Sequence, residues 1–229
     1  MQIVESTSFG VRSVVMTLVH PNDPVQFVLF PMIHIADPQF YREIEAKLAD
    51  CDLILLEGVR SWAVSAMTFS YRFVAGTPRL GLAAQRDMNL KPLQDRVVRV
   101  DMSAPEFARG WSALRLPLRV FLFLVGPAYG LYLRFFGTRE QIAGSMGVDM
   151  LPTAREALMD DDARAFMDLI LVARDKVLLE HLGEARTPGG AKTVAVVYGA
   201  RHMRAVIRNL TGEAGYRIAK TEFVTVMSL

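Results

Sequence analysis

A single cysteine, Cys51, among 229 residues excludes an internal disulfide and fits a reducing compartment. Beside Leu53 to Leu56 it reads as a small buried hydrophobe. The opening residues, Met1-Gln-Ile-Val-Glu-Ser-Thr-Ser8, have neither the basic end nor the apolar stretch of a secretory signal, so a cytoplasmic protein is expected. An excess of charge is also missing: 26 basic residues stand against 24 acidic ones, a formal net charge of +2, and the basic residues form no dense block. Nucleic acid is therefore not an expected partner. There is no P-loop, no Gly-x-Ser-x-Gly elbow and no dinucleotide fingerprint, which removes support for a nucleotide site or a nucleophilic serine. Gly126-Pro-Ala-Tyr-Gly130 lacks the strand that must precede a phosphate-cradling loop. No solenoid-length repeat or low-complexity segment is present.

What the chain does have is apolar residues, 52% of the total, with a mean hydropathy of +0.24. Val11–Val19 and Val25–Ile33 are β-branched and aliphatic, with the turn formers His20-Pro-Asn-Asp-Pro24 between them, and predict a hairpin. Asp37-Pro38 then supplies an N-cap and an N1 proline for a helix with Phe40, Ile44 and Leu48 on one stripe. Asp52–Glu57 is a continuous apolar run of the kind covered on both faces in a parallel sheet, and completes a β-α-β unit. Helices are expected over Ser61–Ala75 and Leu80–Met88, a short strand over Arg96–Asp101, and a helix opened by the Ser103-Ala-Pro-Glu106 capping box. Thr153 caps a predicted helix through Met159, Asp160 opens a longer one to about His181, and Thr187-Pro-Gly-Gly190 is a loop. Thr193–Tyr198 is the clearest strand, followed by a helix from His202 to Leu210 and a last strand over Glu222–Met227. The expectation is one α/β domain over 1–229, a mostly parallel mixed sheet with an N-terminal hairpin and flanking helices, interrupted by an apolar helical insertion at about 114–137.

Within that insertion, Val120–Leu133 is uncharged for 14 residues, short of the roughly 20 that cross a hydrocarbon core. Gly126-Pro127 should break it, giving two short core helices. The aromatic residues Phe121, Phe123, Tyr129, Tyr132, Phe135 and Phe136 beside Arg115, Arg119 and Arg134 leave open a lid, a self-association surface or a membrane-surface segment.

Two apolar strands close on a histidine: Gln26-Phe-Val-Leu-Phe-Pro-Met-Ile-His34, and Lys192-Thr-Val-Ala-Val-Val-Tyr-Gly-Ala-Arg-His202. A third, Cys51-Asp-Leu-Ile-Leu-Leu-Glu57, closes on a carboxylate, and a fourth on Asp101. Open α/β sheets place their ligands at the carboxyl ends of the strands. Imidazole and carboxylate are the usual ligands of manganese, cobalt or zinc, so His34, Glu57 and His202 form a candidate metal set and Asp101 a ligand or orienting partner. A lone histidine at a strand end is more often a hydrogen-bonded structural residue. The charge of Glu57 needs a partner, and Arg60 or Arg174 could provide it. Gly199 would let a bound group approach the backbone. His20 and His181 are not favoured.

These motifs, together with Arg174-Asp175 in a late helix, resemble the TraB/PrgY/GumN and TIKI group in order and spacing from about Val25 to Leu210. The resemblance implies an α/β fold related to ChaN and the erythromycin-esterase-like proteins, with paired Gly-x-x-His motifs and an acidic residue grouped in one cleft. It also implies a divalent-metal hydrolase, since the TIKI branch is regarded as metal-dependent proteases. By position, His34 and His202 match the two histidines, Glu57 the glutamate, Gly199 the second motif's glycine, and Arg174 with Asp175 the late-helix pattern. Pro31 stands in place of the first motif's glycine, and Ala173 in place of a glutamate.

The leading expectation is a metal-dependent hydrolase of a peptide-like substrate. His34, Glu57 and His202 would surround the metal, Asp101 would serve as second partner or base, and Arg174 would steady an oxyanion. The rival expectation is a non-catalytic protein that binds haem, a metal ion or a signalling peptide in the same cleft.

Overall fold

The computed structural model describes residues 2–59, 61–150, 159–186, 190 and 192–229. It contains the mixed α/β sheet expected, with the N-terminal hairpin in its middle and helices flanking it. The hairpin is β2 (Gly10–His20) with β3 (Asp23–Met32). From one edge the order is β7 (Val97–Arg99), β5 (Leu53–Leu56), β9 (Thr193–Gly199), β3, β2, β1 (Gln2–Thr7) and β8 (Val148–Asp149). On the other edge of β2 runs β10 (Arg217–Ser228), longer than the expected Glu222–Met227. The mixing is more even than the mostly parallel sheet expected. Among the described residues the pairings β3–β9, β9–β5 and β5–β7 are parallel, and the four that involve β1 or β2 are antiparallel.

The expected β-α-β unit is split. Helix α1 (Pro38–Leu48) leads from β3 to β5, but β9 inserts between them, with Met32 level with Gly199 and Leu56 level with Val197. This is the strand that the sequence marked most clearly, and Val194 to Tyr198 are all buried. Four parallel strands therefore end at one edge. Pro31, which has no N–H, lies beyond Leu29, the last β3 residue paired with β2, and its carbonyl accepts the Ser13 hydroxyl at 2.7 Å.

Asp37 begins α1 from an extended backbone, with Pro38 behind it, and Phe40, Tyr41, Ile44 and Leu48 turn inward as expected. Its carboxylate does not cap the helix. It accepts Arg139 Nη2 at 2.8 and 2.9 Å and the Ser228 N–H at 3.0 Å, while the same guanidinium donates to the carbonyls of Leu80 and Ser228. One arginine thus joins α1, the end of β10, the loop at residue 80 and α6 (Arg139–Ala143).

Other local expectations are modified. Ser61–Ala75 forms two short helices, α2 (Trp62–Met67) and α3 (Ser70–Val74). The helix expected over Leu80–Met88 is absent: Gly81 takes a φ of +64°, Ala83–Ala84 pairs as β6 with β4 (Ile35–Ala36), and one 3-10 turn follows at Gln85–Asp87. Pairing with the segment after His34 overrides helical propensity there. The Ser103 capping box forms in both directions and starts α4 (Ala104–Ala113). The predicted Thr153 helix lies outside the described residues, as do Thr187 to Gly189 of the predicted loop. Asp160 caps α7 (Asp161–Met167), which continues through one π turn (Asp168–Val172) into α8 (Ala173–Glu184). After β9 come a 3-10 turn and α9 (Met203–Arg208).

The insertion departs furthest from expectation. Instead of two core helices broken at Gly126-Pro127, it is one helix, α5 (Leu116–Phe136), with Pro127 inside it. Only 11% of its apolar stretch is buried, and among the described residues it is the one helix long and apolar enough to cross a membrane. A satellite apolar cluster of Ala63, Phe107, Trp111, Leu114 and Leu169 lies under α4 and α5, apart from the main core on the sheet.

Replacing Arg139 by alanine should cost about 1–3 kcal/mol, the range for charge-assisted bonds in a partly screened setting. Urea unfolding of Arg139→Ala against the parent measures it, and an unchanged midpoint would show that the four segments hold together without this residue.

Candidate active site

The carboxyl ends of β3, β9, β5 and β7 bring His34, Gly199 with His202, Glu57 and Asp101 to one edge of the sheet. Arg174, on the first turn of α8, descends onto them. Its Nη2 donates to Glu57 Oε1 at 2.6 Å and to Asp101 Oδ2 at 2.6 Å, and its Nε donates to Asp101 Oδ1 at 2.8 Å. Asp101 also accepts the backbone N–H groups of Gly58 and Met102, at 3.0 and 2.9 Å. The three side chains are 12%, 10% and 3% exposed. Of the two partners proposed for Glu57, Arg174 is confirmed and Arg60 lies outside the described residues.

Glu57 Oε2 accepts the Gly199 N–H at 2.6 Å. A Cβ at position 199 would stand 3.2 Å from that oxygen, and its φ is −50°, so glycine serves here by leaving room and not by an unusual conformation. The group that approaches the backbone at Gly199 is thus the protein's own carboxylate. Burial pushes the Glu57 carboxyl upward, but Arg174, His202, His34 and the Gly199 N–H outweigh it and hold the group ionised, down to about 2. Burial alone would lower Arg174, and the two carboxylates raise it instead.

Both histidines are anchored through Nδ1. His202 is buried, and its Nδ1 donates to Asp175 Oδ1 at 2.6 Å, which leaves Nε2 3.7 Å from Glu57 Oε1. The His34 Nδ1 meets Gln85 Oε1 at 2.9 Å, and because an amide oxygen only accepts, the ring nitrogen donates, leaving Nε2 without a hydrogen-bond partner among the described residues. The ring also stacks on Tyr71, 5.4 Å between centroids.

The expected metal set was His34, Glu57 and His202. Among the described residues no three His, Cys, Asp or Glu side chains are grouped so as to hold a metal ion, and the Arg174 guanidinium already rests on the Glu57 oxygen that faces His202. As placed, these donors do not fit a ready three-ligand centre. Asp101 is an anchor for Arg174 and not an exposed base, and Arg174 spends most of its donors on the two carboxylates and the Ile170 carbonyl.

Above this buried layer lies a cleft of about 1030 Å³, lined by His34, Glu57 and Arg174 and by residues that the sequence did not single out: Tyr71, Gln85, Arg72, Arg86, Lys91 and Arg99. Their signal was hidden, because they sit on α3, in the turns after it and on the edge strand. His202 lies behind Glu57, outside the lining.

Because Glu57 is held below its ordinary 4.5, its stabilisation is complete above about pH 4.5 and is lost as pH falls toward 2. Over that window the parent should lose about 3 kcal/mol of unfolding free energy relative to Glu57→Gln. Parallel acid-limb slopes for the two proteins would contradict this electrostatic picture. Arg174→Met, which strands two buried carboxylates, should destabilise by about 3–5 kcal/mol in urea unfolding at neutral pH.

No family model, curated protein or solved structure matches this chain.

Proposed function

We propose that the cleft is a hydrolytic site for an anionic, peptide-like substrate, with His34 as the general base. The observation that supports it best is the His34 imidazole: its Nδ1 is held by Gln85, its Nε2 is free, it lines the cleft, and it interacts electrostatically with the buried carboxylate of Glu57. His34 Nε2 takes a proton from a water whose oxygen attacks the acyl carbon. It then returns that proton to the leaving nitrogen, so no net charge is left on the protein. Glu57, kept ionised, favours the imidazolium formed in between. His202, fixed by Asp175, and Arg174 act as positioning residues that hold Glu57 in place.

The substrate class follows from the lining. Arg72, Arg86, Lys91, Arg99 and Arg174 stand against one lining carboxylate, Glu57, already engaged by Arg174. Lys91 and Arg99 have no acidic partner among the described residues, and cations in a cleft attract and orient a carboxylate- or phosphate-bearing ligand.

A second reading, a bound divalent ion such as manganese, cobalt or zinc, is favoured by the Asp175–His202 pair. Metal-ligating histidines carry that kind of carboxylate on their other nitrogen. The TraB/TIKI-like order of motifs supports it too. No step above depends on such an ion.

His34→Ala should lower kcat by at least about a hundredfold on an anionic acyl-peptide library, the usual scale for a general base. Lys91→Ala/Arg99→Ala should raise KM with kcat nearly unchanged. Turnover is expected to survive a chelator. Turnover only with added manganese, cobalt or zinc, together with a metal-dependent rise in Tm, would establish the second reading. A ligand retained with no turnover in either parent or His34→Ala would mark the cleft as a binding site, for a signalling peptide or haem.

A further inference from the structure

We propose that α5 lies in the plane of an anionic membrane surface and buries its outer face at the boundary between headgroups and acyl chains. A surface helix normally turns its polar side to water. Here the order is reversed: Gly130 and Leu133 are its buried residues, packed toward α3, while ten large apolar side chains from Leu116 to Phe136 are exposed. One further exposed aromatic residue extends the patch, Trp62, stacked on Phe123 at 5.5 Å. Apolar surface on this scale marks an interaction site.

Charge selects the occupant. Between Glu106 and Glu140 the chain has no Asp or Glu and has five arginines, Arg109, Arg115, Arg119, Arg134 and Arg139, of which Arg139 is already tied to Asp37 and Arg115 pairs with Asp162 at 3.2 Å. Of the two within α5, neither Arg119 nor Arg134 has an acidic partner among the described residues, and Arg134 is exposed. A second copy of this chain would bring the same arginines to face their like and repel, whereas an anionic lipid surface would pair them.

Packing selects the orientation. At about 1.5 Å per residue the helix is about 31 Å long, enough to span a bilayer, but its inner stripe rests on α2 and α3. Gly130 approaches Ser70 so closely that a Cβ would meet it at 2.7 Å. A helix held along one side by the protein offers the membrane its other side, as in-plane helices do.

The test is sedimentation of the full chain with vesicles of phosphatidylcholine alone or mixed with phosphatidylserine, together with quenching of tryptophan fluorescence by brominated lipid. Pelleting with the phosphatidylserine vesicles, weakening in high salt, and quenching that is lost in Trp62→Phe are expected. The triple variant Phe121→Ser/Leu124→Ser/Phe135→Ser should lower vesicle binding at least tenfold while keeping its circular dichroism. If that variant does not fold, quenching in the parent decides by itself. Protein that stays in the supernatant as a monomer overturns the proposal. A dimer that ignores vesicles overturns it in favour of self-association, and equal binding to neutral vesicles overturns the selection by charge.

Discussion

The Arg174 guanidinium between Glu57 and Asp101 is the interaction on which this edge of the protein depends. β5 and β7 each end on a carboxylate, and neither charge could stay buried without a cation of fixed geometry between them. A planar fork grips both oxygens of Asp101 while still reaching Glu57, a fixed geometry that the point charge of a lysine lacks. The same Glu57 carries the contact onward to Gly199 at the end of β9 and to His202 beyond it, so three strand ends and α8 are joined through one buried network. Its members are nearly saturated with hydrogen bonds, which separates them from the cleft groups that remain free to meet a ligand.

That division of labour explains what could be read in the sequence. A charged or titratable residue ending an apolar strand is visible in a linear string, so Glu57, Asp101, His34 and His202 could be named, and the structure gathers them at one edge. Their roles were less legible. Asp101 and Arg174 satisfy each other, His202 stands behind Glu57, and only His34 faces the cleft with a free nitrogen. Which lone pairs are already taken is a three-dimensional fact. Gln85 and Tyr71, which hold the His34 ring, lie on segments read as unbroken helix, and the pairing of Ala83–Ala84 with Ile35–Ala36 that places Gln85 is a long-range choice.

The apolar insertion shows the opposite limit. Local chemistry at Gly126-Pro127 predicts a break, since proline removes a helical N–H and crowds the preceding turn. The helix nevertheless runs through, with residues on both sides of the proline packed on neighbouring helices: Phe123 against Trp62 of α2 and Trp111 of α4 before it, Gly130 against Ser70 of α3 after it. At the far end Arg79 donates to the carbonyls of Leu133, Arg134 and Gly137, placing a cation where the helix dipole favours one. The count of uncharged residues also understated its length, because Arg119 and Arg134 lie inside the helix.

α2 and α3 stand between these two regions. Val64, Thr68, Tyr71 and Arg72 line the cleft from one side of them, and α5 covers the other. Helices of six and five residues have no stability of their own in water. They are ordered by what flanks them, so the cleft has a wall whose shape is imposed from outside. Only α5 and α3 therefore separate the outer face of α5 from the Tyr71 ring, which itself stacks on the imidazole of His34.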